Sequence, residues 1–267
     1  MRRITYVGHG TVLIEIDGVK LLTDPLLRRW AGPLRRFASP PDIGGLIRPD
    51  AVLLSHMHID HVDRASLRLF DRSVRVLVPR VGEKLLRRYG FAHVEGLAAG
   101  ARVRIGHTDV IAVPARHEGK RHPWADDGEA IGYTIGTRDA IYYAGDTASF
   151  PEMRELGCGL DTALLPVWGW GSKVDEDVHL TPLTAAHALE MLQPRLVIPV
   201  HWGTYGPPVT TSMRRFDAMQ PPHAFARYAG HLAPHVEVRI LQPGESTLLD
   251  DGAAAIADVS GGEEPAP

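Results

Sequence analysis

The stretch Ala51-Val52-Leu53-Leu54-Ser55-His56-Met57-His58-Ile59-Asp60-His61 decides the reading of this chain. A short apolar run of strand length ends in three imidazoles and one carboxylate. His56 and His58 are two residues apart, so in extended backbone both side chains point to one side. Asp60 and His61 follow where the chain turns toward a helix expected over residues 63–70, and there they face a second position beside the first. Imidazole nitrogen and carboxylate oxygen are ligands of first-row metals, and such a set suits zinc, manganese or iron.

Three later strands end in the same way. Residues 110–113 run into Pro114-Ala115-Arg116-His117, residues 141–144 into Gly145-Asp146, and residues 196–200 into His201. Open α/β sheets gather ligands beyond the carboxyl ends of their strands. The four strand ends supply His56, His58, Asp60, His61, His117, Asp146 and His201. That set is large enough for two metals about 3.5–4 Å apart, with Asp146 the natural bridging carboxylate. His107 and His122 compete for the place given to His117, which alone lies just past a well-formed strand.

Around these strands, residues 4–7, 11–16 and 19–23 read as strands, the last two joined by an Asp17-Gly18 hairpin turn. Residues 25–49, rich in Pro, Gly and Arg, read as an irregular loop with some helix, of a length that is often functional. A strand is expected at 74–78 and a helix at 79–89, begun by Pro79 and stopped by Gly90. Strands follow at 103–105, 131–135 and 162–165, a helix over 185–192 started by Thr181-Pro182, a helical stretch at about 211–231, and strands at 236–240 and 245–249. Two groups of strands with helices between them point to an α/β sandwich in one domain, residues 1–249. Residues 250–267 have little to bury and are expected to be disordered.

Composition narrows the function classes. With 29 Lys plus Arg against 32 Asp plus Glu, no global basic field exists for a nucleic acid backbone. No run of about 18 apolar residues is present to span a membrane, and the basic N-terminus lacks the apolar core of a signal peptide. The single cysteine, Cys158, is read as a buried structural thiol, and its solitude fits a reducing, cytoplasmic compartment.

The motif His56-x-His58-x-Asp60-His61, the later His117, Gly145-Asp146-Thr147 and His201 resemble the metallo-β-lactamase superfamily, over nearly the whole chain. The resemblance implies an αββα sandwich with metals at one edge between the sheets. It also implies that His56, His58 and His117 hold one metal and Asp60, His61 and His201 the other, with Asp146 between them. His61 beside Asp60 speaks against the antibiotic-hydrolysing branch. The N-terminal GHGTVLIEIDGVKLLTDP and the run His179-Leu180-Thr181-Pro182 are similar to the branch of ascorbate-6-phosphate lactonase and N-acyl-phosphatidylethanolamine-hydrolysing phospholipase D. In that branch a histidine at the place of His179 lies near the metals, where it contacts substrate or leaving group.

The expectation is therefore a hydrolase with two divalent ions, zinc first and manganese second, in which metal-bound hydroxide cleaves a lactone, an ester or a phosphodiester. Asp60 would also orient the nucleophile, and His179 would donate to the departing or developing oxyanion. The substrate would be a small molecule, phosphorylated or acylated. Trp168 and Trp202 are candidate walls for an acyl chain or sugar ring, as are Trp30, Trp124 and Trp170, although tryptophans also pack under loops. The four arginines within residues 28–37 read as a lid, a membrane-surface patch or a solvated loop. Asp24 reads as support for a metal ligand or as a turn residue before Pro25, and His187 as a site residue or a buried partner. Competing readings are a nuclease of the same superfamily, an iron-dependent oxidoreductase with a separate electron donor, and a non-catalytic metal protein. Oligomeric state is left open.

Overall fold

The computed structural model describes residues 1–32, 34–118, 128–169, 175–206 and 218–249. The first of two seven-stranded sheets runs, in spatial order, β17 (Ser246–Leu249), β1 (Arg2–Gly8), β2 (Thr11–Ile16), β3 (Val19–Thr23), β6 (Ala51–Leu53), β7 (Arg75–Pro79) and β8 (His93–Leu97). The second runs β16 (Glu237–Val238), β14 (Leu196–Val200), β13 (Leu160–Pro166), β12 (Ala140–Tyr143), β11 (Ile131–Ile135), β10 (Thr108–Pro114) and β9 (Arg102–Ile105). Each sheet joins an antiparallel meander to a parallel half.

Period-two alternation explains the layering of the first sheet. Ile4, Tyr6, Val12, Ile14, Leu21, Leu53 and Leu77 pack in one core with Val110, Ala112 and Tyr133 of the second sheet. The intervening Leu13, Leu22, Val52, Leu54, Val76 and Val78 form a separate core with Leu67 and Leu86. Those two leucines belong to α1 (Arg64–Leu67) and α2 (Glu83–Arg88), which cover this other face. In the second sheet, β13 and β14 are buried along their whole length, as parallel strands covered on both faces must be. Their cover is α4 (Pro182–Leu192) and α5 (Pro221–Leu232), with short α3 (Met153–Leu156) beside α4. The layers are α, β, β, α, the sandwich that the family resemblance implies.

Local signals hold where they are short-range. Asp17 and Gly18 have φ of 52° and 79°, the two positive values that a tight primed hairpin turn needs. Thr181 caps α4 by accepting from the Thr184 amide at 3.2 Å, with Pro182 in the first turn. Expectations about longer pieces need correction. Residues 25–49 contain no helix among those described. They contribute β4 (Trp30–Ala31) and β5 (Leu34–Arg36), which pair with β15 (Tyr205–Gly206) in a small third sheet. The helix expected at 79–89 begins later, because Pro79 still belongs to β7 and a 3₁₀ turn, Arg80–Gly82, precedes α2. The helix over 63–70 shrinks to α1, and the strand over 236–240 to β16. Strand β8 was not anticipated.

Two single-residue readings also fail. Cys158 is exposed rather than buried, since it lies in the polar turn between α3 and β13. His187 is exposed on α4 and pairs with Glu190 at 2.8 Å. The proposed tail, Trp124, Trp170, His122 and residues 211–217 lie outside the described residues.

Candidate metal centre

The two sheets are pinned to each other where the deciding motif leaves β6. Ser55 O accepts from the amide of Ile131 at 2.9 Å, and Leu54 O accepts from the Tyr133 hydroxyl at 2.7 Å. From the second sheet, β12 delivers Asp146 through Gly145, at φ 61°. A Cβ on Gly145 would lie 2.5 Å from Cβ of Ser55, so only glycine lets these strand ends approach. His117 follows β10 and His201 follows β14. All seven residues picked from the sequence meet in one place, in two groups.

In the first group, Nδ1 of His58 lies 3.0 Å from Nε2 of His56 and 3.2 Å from Nε2 of His117. The remaining nitrogens of those two partners are committed. His117 Nδ1 donates to the Val178 carbonyl at 2.8 Å. His56 Nδ1 donates to Ser55 Oγ at 2.9 Å, because that hydroxyl itself donates to Asp24 Oδ2 at 2.6 Å. His56 and His117 therefore turn lone pairs toward His58. Nitrogens around a tetrahedral zinc with bonds of 2.0–2.1 Å stand roughly 3.3 Å apart, close to the spacing found here. Burial lowers the pKa of all three imidazoles and favours the neutral form that ligates.

The second group is richer in carboxylate. His61 is fully buried, and its Nε2 lies 3.6 Å from Asp60 Oδ2 and 3.5 Å from Asp146 Oδ2. His201 Nε2 lies 3.4 Å from Asp146 Oδ1, while its Nδ1 donates to the Trp168 carbonyl at 2.6 Å. Burial opposes charge on His61, but the carboxylates of Asp146, Asp60 and Asp24 outweigh it and hold its pKa well above the ordinary imidazole range. On His201 burial prevails, and its pKa falls to about 4. Burial would raise Asp146 and Asp60, yet His201 and His61 around the one and His61 and His9 around the other keep both well below the usual carboxylate range.

These donors fit divalent cations. Among the described residues, the buried atoms His61 Nε2 and Asp146 Oδ1 have no hydrogen-bond partner, and an orphaned buried polar atom is costly unless something binds it. Ligand atoms of Asp146, His117 and His179 lie within 4.8 Å of one another, so one carboxylate reaches both groups.

Asp24 is resolved as support. Its buried carboxylate accepts from the Ser55 amide at 2.8 Å, Ser55 Oγ at 2.6 Å, His61 Nδ1 at 2.8 Å and the Tyr143 hydroxyl at 2.6 Å. It thereby fixes which His61 nitrogen faces the centre. His179, half-buried, stands edge-on to His117 with ring centroids 4.8 Å apart and its Nδ1 3.7 Å from Asp146 Oδ2. Trp168 is half-buried beside His201, whereas Trp202 cannot line a substrate site. It is 1% exposed, stacked on Tyr6, and its indole N–H donates to the Pro199 carbonyl at 2.9 Å. Next to His201 in sequence, it is held in the core by its stack on Tyr6, whose hydroxyl donates to the Trp202 carbonyl at 2.9 Å. The arginines within 28–37 are partly committed too. Arg28 grips Asp63 at 2.8 and 2.7 Å, and buried Arg36 donates to the Val7 carbonyl at 2.6 Å.

Strand-end reasoning missed one residue. His9, buried between β1 and β2, places Nε2 3.0 Å from Asp60 Oδ2. The signal available was a histidine framed by two glycines in a tight connection.

An αββα sandwich with clustered imidazole and carboxylate donors at one edge defines a metallo-hydrolase class, and comparison with known proteins agrees. The beta-lactamase superfamily domain matches residues 20–202. The UPF0173 metal-dependent hydrolase of Methanopyrus kandleri is 33% identical over 254 residues, covering 91% of this chain and 98% of that protein. The chain belongs to the metallo-β-lactamase superfamily, among its UPF0173 metal-dependent hydrolases. A solved metallo hydrolase from Ignicoccus hospitalis is similar, with a TM-score of 0.70, 26% identity, and 92% of this chain and 97% of that chain covered. The diiron β-hydroxylase CmlA of Streptomyces venezuelae shares the fold, with a TM-score of 0.69 and 21% identity over 93% of this chain and 54% of its own. No helix among the described residues is long and apolar enough to cross a membrane.

Proposed function

We propose that this metal-dependent hydrolase works with two divalent ions, zinc first and manganese second, on a small phosphorylated or acylated substrate. It cleaves a lactone, ester or phosphodiester bond, in the manner of the branch holding ascorbate-6-phosphate lactonase and N-acyl-phosphatidylethanolamine-hydrolysing phospholipase D. The observation that carries the reading is the pairing of two donor groups, His56/His58/His117 and Asp60/His61/His201, on either side of Asp146.

Bound there, the ions would supply an acidified water near neutral pH and an electrophilic surface for a carbonyl or phosphoryl oxygen. Asp60 accepts a hydrogen bond from the attacking water and aims it. His179 donates to the leaving or developing oxyanion; burial lowers its pKa against the pull of Asp146, so it acts as a neutral N–H donor. Trp168 offers an apolar wall. Residues 1–249 act as one domain.

The test is the metal content of purified protein, followed on the same sample by bis(p-nitrophenyl) phosphate and a panel of lactones. Two zinc or manganese ions per chain, with turnover of one substrate class, is the expected result. Iron as the bound metal, or a metal-loaded protein with no turnover of either class, overturns the reading.

A further inference from the structure

Gly8-His9-Gly10 carries into the centre an imidazole that the ligand set above does not include. His9 is 2% exposed, and its ring lies tilted against His201 with centroids 4.0 Å apart and 5.1 Å from that of His61. Its Nε2 is 3.0 Å from Oδ2 of Asp60. This is the one hydrogen bond that the Asp60 carboxylate receives among the described residues. His61, His56, His117 and His201 have their outer nitrogens anchored to Asp24, Ser55 or a backbone carbonyl. Asp60, at the more open edge of the centre, has His9 instead.

The backbone here is built for that placement. The His9 amide donates to Thr204 Oγ1 at 2.9 Å and to the Tyr6 hydroxyl at 3.1 Å. Its carbonyl accepts from the amide of His201 at 3.0 Å. His9 and His201 both sit in the left-handed region, at φ 58° and 63°. Non-glycine residues in that region are uncommon, and they cluster at functional sites where the surroundings enforce them. The flanking glycines suit this close packing. A Cβ on Gly8, at φ 127°, would lie 2.7 Å from Thr204 Cγ2, and one on Gly10 would lie 3.1 Å from His61 Cε1. The turn disfavours a side chain at Gly8, leaves little room for one at Gly10, and carries one imidazole between them.

We propose that His9 is a positioning residue for the second ion: its Nε2–H donates to Oδ2 of Asp60 and holds that carboxylate beside His61 and His201. Its carbonyl, by taking the amide of His201, sets the second ligand of the same group. This inference rests on the two-ion reading above. A carboxylate without that donor is free to rotate toward solvent, and loss of such a supporting partner weakens metal binding by about 10–100-fold.

The experiment is a Zn²⁺ titration of chelator-treated wild type, His9→Ala and His9→Gln. It is read by calorimetry and by bound-ion content after gel filtration, with kcat and KM measured alongside. Wild type should take up two ions. His9→Ala should keep the first at unchanged affinity and bind the second about 10–100-fold more weakly, with kcat falling and KM nearly constant at fixed zinc. His9→Gln, whose amide nitrogen reaches close to the place of Nε2, should recover most of that loss. Should His9→Ala not fold, His9→Gln decides: second-ion affinity near wild type supports the donor role, and a loss of about tenfold or more overturns it. His9→Ala with wild-type affinities also overturns it, as does His9→Gln failing as fully as His9→Ala, which would make His9 a ligand. A wild-type protein that binds only one ion overturns the two-ion reading, and this inference with it.

Discussion

The two donor groups on either side of Asp146 are built differently. The first, His56, His58 and His117, is three imidazoles that burial keeps neutral, with the outer nitrogens of His56 and His117 anchored. The second surrounds His61 with Asp24, Asp60 and Asp146, so that without a cation its imidazole attracts a proton instead. A cation entering the first group finds neutral nitrogens ready; one entering the second must displace that proton. The difference teaches that two positions a few ångströms apart can be loaded under different conditions.

The comparison can be broken most directly at its centre. His58→Ala should remove an ion from the first group while leaving the fold, and lower turnover by more than about 100-fold, beyond what loss of a mere supporting partner costs. Metal analysis and kinetics on the same sample check this, and full activity in a metal-loaded variant would sink the ligand assignment. Asp24→Ala strikes next. It removes the buried acceptor of His61 Nδ1, the Ser55 amide and hydroxyl and the Tyr143 hydroxyl, and stability measured by urea unfolding should fall by about 3–5 kcal/mol. A loss under about 1 kcal/mol would show that Asp24 is not the anchor its four hydrogen bonds describe.

Metal removal sharpens the contrast. The raised pKa of His61 means that the second ion displaces a proton at neutral pH, so its affinity should drop about tenfold for each unit the pH is lowered. The first group holds neutral imidazoles, so its ion should be nearly indifferent above the ordinary imidazole range. Calorimetry in buffers of different ionisation enthalpy counts the protons; equal counts for both ions would erase the distinction. The smallest effect lies outside the centre. Arg28→Ala should cost at most about 1 kcal/mol, because Arg28 is 43% exposed and solvent screens its pair with Asp63. Burial would raise Asp63, but Arg28 and Ser66 hold its pKa below the ordinary value. The contribution is thus present above the unfolded-state pKa near 3.9 and disappears as pH falls through the folded value. Melting curves at pH 7 and pH 3 test the sign.

The clustering of the seven candidate ligands was legible because each follows an apolar strand at its carboxyl end, a local pattern with a local cause. His9 was not, since it belongs to a tight turn between antiparallel strands, where the strand-end rule has no purchase. Its side-chain partner is Asp60, 51 residues away. Residues 25–49 misled for a similar reason: β4 and β5 exist by pairing with each other and with Tyr205–Gly206, a contact no short window contains. Trp202 shows the opposite failure. Adjacency to His201 suggested a shared role, but its stack on Tyr6 holds it in the core.

Asp24 touches His61 directly and His56 through the hydroxyl of Ser55. The two positions flanking Asp146 are therefore not independent vessels but share a common hinge of charge. Two bound cations would each polarise an imidazole tied to this one carboxylate, and by thermodynamic reciprocity any change that one made in the other's affinity would be returned by the same factor. Ser55, whose hydroxyl stands between Asp24 and His56, is the link through which such a coupling would pass.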